Sequence, residues 1–176
     1  MARAHTELAA ARHTLVALLE DHPGVLNRVV SMLRRRGHNI ESLTVGHSEI
    51  KGVSRLTMVV AGDDAIIEQV VKQLYKLVEV VKVTDLREDR VVVCELALVK
   101  VNATPSTRGE LMQIADIYRG KIVDLANDSV MIEITGTEDK IDSLIDLVRR
   151  FGIKEIVRTG RVAMLRGVAG VTKADE

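Results

Sequence analysis

Aromatic residues are nearly missing from this chain: Phe and Tyr make up 2% of its 176 residues, and Trp is absent. Proteins that hold single-stranded nucleic acid stack its bases on aromatic rings, and that mode of binding has little material here. There is one cysteine, Cys94, so no internal disulfide framework exists and a reducing, cytoplasmic compartment suits the chain. No excess of either charge is present. Lys plus Arg and Asp plus Glu are 25 each, for a formal net charge of zero. A protein that finds DNA or an anionic membrane by bulk electrostatics would carry an imbalance. The balance also leaves little repulsion to oppose self-association. No apolar run approaches the roughly 18 residues of a membrane span. The opening stretch MARAHTELAAARHT lacks the apolar segment of a secretory signal. Neither nucleic acid nor membrane is expected as a partner.

What the chain has is aliphatic bulk, with 47% hydrophobic residues led by Val, Leu and Ile, enough for one domain or two small ones. Cys94, inside the apolar run VVVCELALV, reads as a small core residue. TLVALLE (14–20) is an apolar, β-branched strand. Pro23 to Arg36 carries a helical stripe of Leu26, Val29, Val30 and Leu33, closed by Gly37 with arginines in the last turn. IESLTVG and VSRLTMVVAG are strands, DDAIIEQVVKQLYKL is a helix with Ile66, Ile67, Val70, Val71 and Leu74 on one face, and VEVVKVTDL is a strand. The order is βαββαβ, the split βαβ or ferredoxin-like arrangement.

The second half repeats the pattern: VVVCELALVKV, the helix TRGELMQIADIYRG, a hairpin around Asn127-Asp128, the helix TEDKIDSLIDLVRRFG and a last strand IKEIVRTGRVAML. Gly62 with its following acids is echoed at Gly136, which favours two similar halves over one large domain. The fold class expected is α+β, two ferredoxin-like domains, with a boundary in the charged break LREDR (86–90).

The halves differ at the first turn. Asp21-His22-Pro23-Gly24 precedes the first helix, whereas Pro105-Ser106-Thr107-Arg108-Gly109 stands at the equivalent place. With His22 as cap and Pro23 in the first helical position, Gly24, Val25 and Leu26 would present free amides, and Gly24 would let a ligand approach its backbone. Such a turn is either simply well built or an anion site for a carboxylate. Asn39 could stabilise the turn after the helix, or hold both the ammonium and the carboxylate of an amino acid. Arg34 to Arg36 read as a solvated helix end or a partner surface. His22, His38 and His47 lack the spacing of metal ligands. No Ser-His-Asp set, phosphate loop or dinucleotide fingerprint is present, so catalytic residues are not expected.

LLEDHPGVLNRVVSMLRRRGHNIESLTVG followed by VSRLTMVVAGDDAIIEQVVKQLYKLVEVVKVTDL resembles the small, regulatory subunit of acetohydroxyacid synthase (acetolactate synthase). The specific parts are RGxNIESLTVG and QLxKLVEVxKV, and the likeness continues through LALVKV, IADIYRGKIVDL and MIEITGTEDKIDSLI. The resemblance implies a lead-in at 1–12, an effector-binding ACT domain at 13–87, a C-terminal ferredoxin-like domain at 88–167 and a tail at 168–176. It implies a chain with no activity and no cofactor of its own. Such a chain forms a homodimer and activates a large catalytic subunit carrying thiamine diphosphate, FAD and magnesium, so that the holoenzyme is a transferase. It also implies feedback inhibition by L-valine, or by leucine or isoleucine. The effector loop then falls on Asp21, His22, Pro23, Gly24, Val25 and Leu26, with Asn39 and Ile40 from the partner protomer. Some members carry Asn where Asp21 stands. The alternative expectation is a free-standing ACT-type sensor acting on a different enzyme or regulator.

Overall fold

The computed structural model describes residues 11–86 and 90–167. The chain divides into two compact units, the first running to Val92 and resuming at Ala163, the second spanning Val93–Val162. The unit boundary falls inside a strand. Of the charged break at 86–90, residues 87–89 lie outside the described residues, as do 1–10 and the tail 168–176.

The first unit contains β1 (Arg12–Glu20), α1 (Val25–Arg35), β2 (Ile40–His47), β3 (Val53–Ala61), α2 (Asp64–Leu74) and β4 (Val80–Asp85). Its antiparallel sheet has the order β2-β3-β1-β4. Central β1 is apolar along its length because both its faces are covered. Leu15, Ala17 and Leu19 lie on one face with Leu56 and Met58 of β3, and α1 and α2 pack there through Val25, Val29, Met32, Leu33, Ile67, Val70 and Leu74. Burying each such side chain stabilises by about 1.5–3 kcal/mol.

The helix stripes differ in part from expectation. Helix α1 starts at Val25, so its buried positions are Val25, Val29, Met32 and Leu33, while Leu26 is exposed and Val30 half-buried. On α2, Ile67, Val70 and Leu74 are buried and Ile66 is exposed. Asp63 caps α2, its carboxylate accepting the Ile66 N–H at 2.8 Å.

The second unit is built from β5 (Val91–Asn102), α3 (Arg108–Ile117), β6 (Lys121–Leu125), β7 (Ser129–Gly136), α4 (Glu138–Val148) and β8 (Ile153–Arg158). Its strand order, β6-β7-β5-β8, repeats the first position by position. Its separate core is Ala97, Val99 and Val101 with Val130, Ile132 and Ile134, under Leu111, Ile114, Ile141, Leu144 and Val148. The echoed glycines are structural equivalents. A Cβ at Gly62 would meet Ile66 Cγ2 at 2.7 Å, and one at Gly136 would meet Lys140 Cδ at 2.6 Å, each four residues on.

The last strand is two strands rather than one. Gly160 has φ 79°, which breaks IKEIVRTGRVAML into β8 and a separate β9 (Val162–Leu165) that pairs with β5. Cys94 is only half-buried, its Sγ 3.7 Å from the Glu95 carbonyl. No helix among the described residues is long and apolar enough to cross a membrane.

Candidate functional site

The segment joining β1 to α1 is fixed by its backbone and open at its surface. The Glu20 N–H donates to the Glu79 carbonyl at 2.9 Å, and the Asp21 N–H donates to Gly52 O, in the β2–β3 turn, at 2.8 Å. Asp21, His22, Pro23 and Gly24 are all exposed. Gly24 has φ 93° and ψ −17°, a left-handed conformation that Gly adopts without the Cβ clash.

This geometry corrects the expected cap. Gly24, not His22, occupies the cap position, and Pro23 lies outside the helix. The Val25 N–H reaches His22 O at 3.5 Å, and the Arg28 N–H closes the first turn on Gly24 O at 3.0 Å. No side chain caps the helix. Among the described residues no acceptor stands against the amides of Gly24, Leu26 and Asn27. The open set is therefore displaced towards Asn27 and omits Val25, whose side chain is buried in the core. A helix start in this condition favours an anion through its free N–H groups and the positive end of its dipole.

Charged side chains ring the turn. Glu20 Oε2 lies 3.2 Å from His22 Nε2, and Asp21 Oδ2 lies 3.2 Å from His47 Nδ1. Arg28, in the first turns of α1, forms an ion pair with the buried carboxylate of Glu79. His47 is the last residue of β2, so the end of that strand is brought against the loop. Two exposed aliphatic side chains, Leu26 and Val45, belong to the same two elements. Val45 pairs with Leu56, which places it on the helix-covered face of the sheet.

Asn39 and Ile40 are not brought to this turn within one chain. They follow α1, whose 11 residues at about 1.5 Å each put its two ends about 16 Å apart. Asn39 is exposed, and Ile40 packs against the core as the first residue of β2. Among the described residues strand β2 has β3 on one side and no strand on the other.

The equivalent turn of the second unit closes on itself through Thr104 and Thr107, and its helix α3 likewise has no side-chain cap. Thr107 Oγ1 accepts the Thr104 N–H at 2.9 Å and lies 3.0 Å from Thr104 Oγ1, while the Thr104 carbonyl takes the amides of Thr107 and Arg108. The arginines 34 to 36 lie at the far end of α1. Arg36 there borders an open groove of about 700 Å³ with Gln69, Lys72, Gln73, Tyr75 and Lys76. No group of His, Cys, Asp and Glu suited to a metal ion occurs among the described residues. Val45 escaped the sequence reading, and His47 was weighed there only as a metal ligand: β2 runs on to His47, and only the fold shows that its end meets the loop.

The chain matches two family descriptions, the AHAS small subunit-like ACT domain over residues 15–82 and the small subunit of acetolactate synthase over residues 94–167. It is 53% identical over 156 residues to the "Probable acetolactate synthase small subunit" of Archaeoglobus fulgidus, covering 89% of this chain and 98% of that one. It is 46% identical over 162 residues to the acetolactate synthase small subunit of Mycolicibacterium smegmatis, covering 92% and 95%. The crystal structure of the acetolactate synthase small subunit from Thermotoga maritima superimposes with a TM-score of 0.84 at 45% identity, covering 90% of this chain and 99% of that one.

Proposed function

The chain belongs to the acetolactate synthase small-subunit family, and from that premise we propose that it is a non-catalytic regulatory subunit. In this reading it activates a large catalytic subunit, which carries thiamine diphosphate, FAD and magnesium, and makes it sensitive to feedback by L-valine or a related branched-chain amino acid. Its compartment is the reducing cytoplasm. The effector site is made by Asp21, His22, Pro23, Gly24, Val25 and Leu26, in the domain at 13–87, with Asn39 and Ile40 of a second protomer.

One observation carries the reading: the exposed start of α1, where left-handed Gly24 leaves amides open and no side chain fills them. An amino-acid carboxylate matches that position. The neighbouring Asp21 offers the opposite charge to the ammonium, and Leu26 and Val45 offer aliphatic surface. The edge position of β2 among the described residues supports the share given to the second protomer. Two copies joined antiparallel across β2 and related by a two-fold axis set the start of one strand beside the end of the other. Because His47 ends β2 against Asp21, the partner's Asn39 and Ile40 would then stand at this loop. Effector binding between protomers would be coupled to dimer geometry, which is the route by which it reaches the large subunit. Selectivity among Val, Leu and Ile should be graded, since one methylene is worth only about 1–3 kcal/mol.

The test is a thermal-shift series with L-valine, L-leucine, L-isoleucine and D-valine, on the chain alone and reconstituted with its large subunit. A ligand at about 100 times its dissociation constant stabilises by about 2.7 kcal/mol, so a stereospecific rise of several degrees is expected. The same amino acid should inhibit acetolactate formation by the reconstituted complex. Absence of any shift and any inhibition in both preparations would remove the effector site.

A further inference from the structure

The contact between His47 and Asp21 gives the loop a second element of control. Asp21 is tied through its backbone to Gly52, and its carboxylate stands 3.2 Å from His47 Nδ1. Glu20, the other carboxylate of the turn, is engaged by His22, two residues away on the same segment. The Asp21 contact joins the loop to the end of strand β2. Resting on the effector site proposed above, we propose that His47 is a positioning residue, which holds the Asp21 carboxylate for the effector's α-ammonium and, when protonated, competes with that ammonium.

The sign follows from charge. A neutral imidazole can donate one N–H to Asp21 and orient it without changing the charge of the site. A protonated imidazole puts a positive charge where the ammonium must go, so the two cations repel across one carboxylate. Histidine is the side chain whose charge ordinarily changes between about pH 5 and 8. Affinity for the amino acid should therefore fall as pH falls through that range. The other titratable groups around the turn are Glu20 and His22 of the loop, Arg28 of α1 paired with Glu79, Glu49 and Lys51 of the β2–β3 turn, and Arg55 of β3. Glu20 and His22 engage each other, and Glu49 acts on Arg55. Because His47 is 88% exposed, its replacement removes no core packing.

Calorimetric titration of L-valine, L-leucine and L-isoleucine into the full chain, alone and with its large subunit, would be run between pH 8 and 5.5. These amino acids stay zwitterionic throughout. The dissociation constant of the tightest binder should rise about fivefold or more towards pH 5.5. His47→Gln, which keeps an N–H donor, should hold the affinity at pH 8 within about twofold and lose most of the pH dependence. His47→Ala should weaken binding at pH 8 as well, whereas His22→Gln should keep the slope. Binding that is independent of pH in the unaltered chain, or an undiminished slope in His47→Gln, overturns the role of His47 while the effector site stands. Absence of binding by any of the amino acids in both preparations overturns the site and this inference together.

Discussion

At Gly24 the backbone adopts a left-handed conformation that costs an L side chain about 1–2 kcal/mol, yet a Cβ built there meets nothing within 4 Å. The position is thus intolerant through its backbone and tolerant through its space. Gly24→Asp should accordingly lower stability by only about 1–2 kcal/mol while setting a carboxylate against the open amides. Effector inhibition of the reconstituted complex should be lost and basal activity kept, and inhibition retained in this variant would displace the site from the turn. The dipeptide Pro23-Gly24 was visible as a helix start from its composition alone. The cap was not, because proline suits both the first helical position and the bend before it, and φ at Gly24 decides between them. The role of His47 was still less visible, since it depends on a contact between residues 26 positions apart in the chain.

Strand β2 brings together what the residues cannot do singly. It carries Val45 and His47 towards the loop, begins at Ile40, and lies at the edge of its sheet among the described residues. An open edge invites pairing, and lysine on such an edge is a recognised obstacle to it. Val45→Lys should therefore weaken self-association by at least about tenfold, read by light scattering across a dilution series. Effector binding should weaken with it, because Asn39 and Ile40 of the partner would be withdrawn. A dimer of unchanged affinity would show that the second copy docks elsewhere. Periodicity alone told helices from strands, as in DDAIIEQVVKQLYKL against VSRLTMVVA. It could not tell which strand lies at an edge, since strand order is decided by non-local pairing. The buried stripe of α1 also differs from the one read from the sequence, since packing on the sheet buries Val25 and Met32 in place of Leu26 and Val30.

The whole chain is a duplicated topology with a return. Gly62 and Gly136, each followed by acids and a helix, made the duplication legible. The return of the last strand was hidden, because IKEIVRTGRVAML reads as one continuous apolar segment until Gly160 turns to positive φ. From Ala163 the chain groups with the first unit. Arg55 of β3 donates to Ala163 O at 2.8 Å, and Arg166 donates to Arg90 O at 2.7 Å and to Val91 O at 3.2 Å. Burial holds the Arg55 guanidinium below the ordinary arginine range, a sign that water has been taken from it. A chain ended after Arg161 would strip that guanidinium of its carbonyl partner. A hydrogen bond made by a charged group contributes about 1.5–3 kcal/mol. Amide exchange in β1 and β3 should accelerate about tenfold or more where global opening governs it, while β7 and α4, whose core contains none of these residues, should keep their protection. Equal acceleration in both units would mean that β9 stabilises the molecule as one cooperative body. Acceleration confined to β1 and β3 would make the C-terminal strand part of the unit that carries the effector turn.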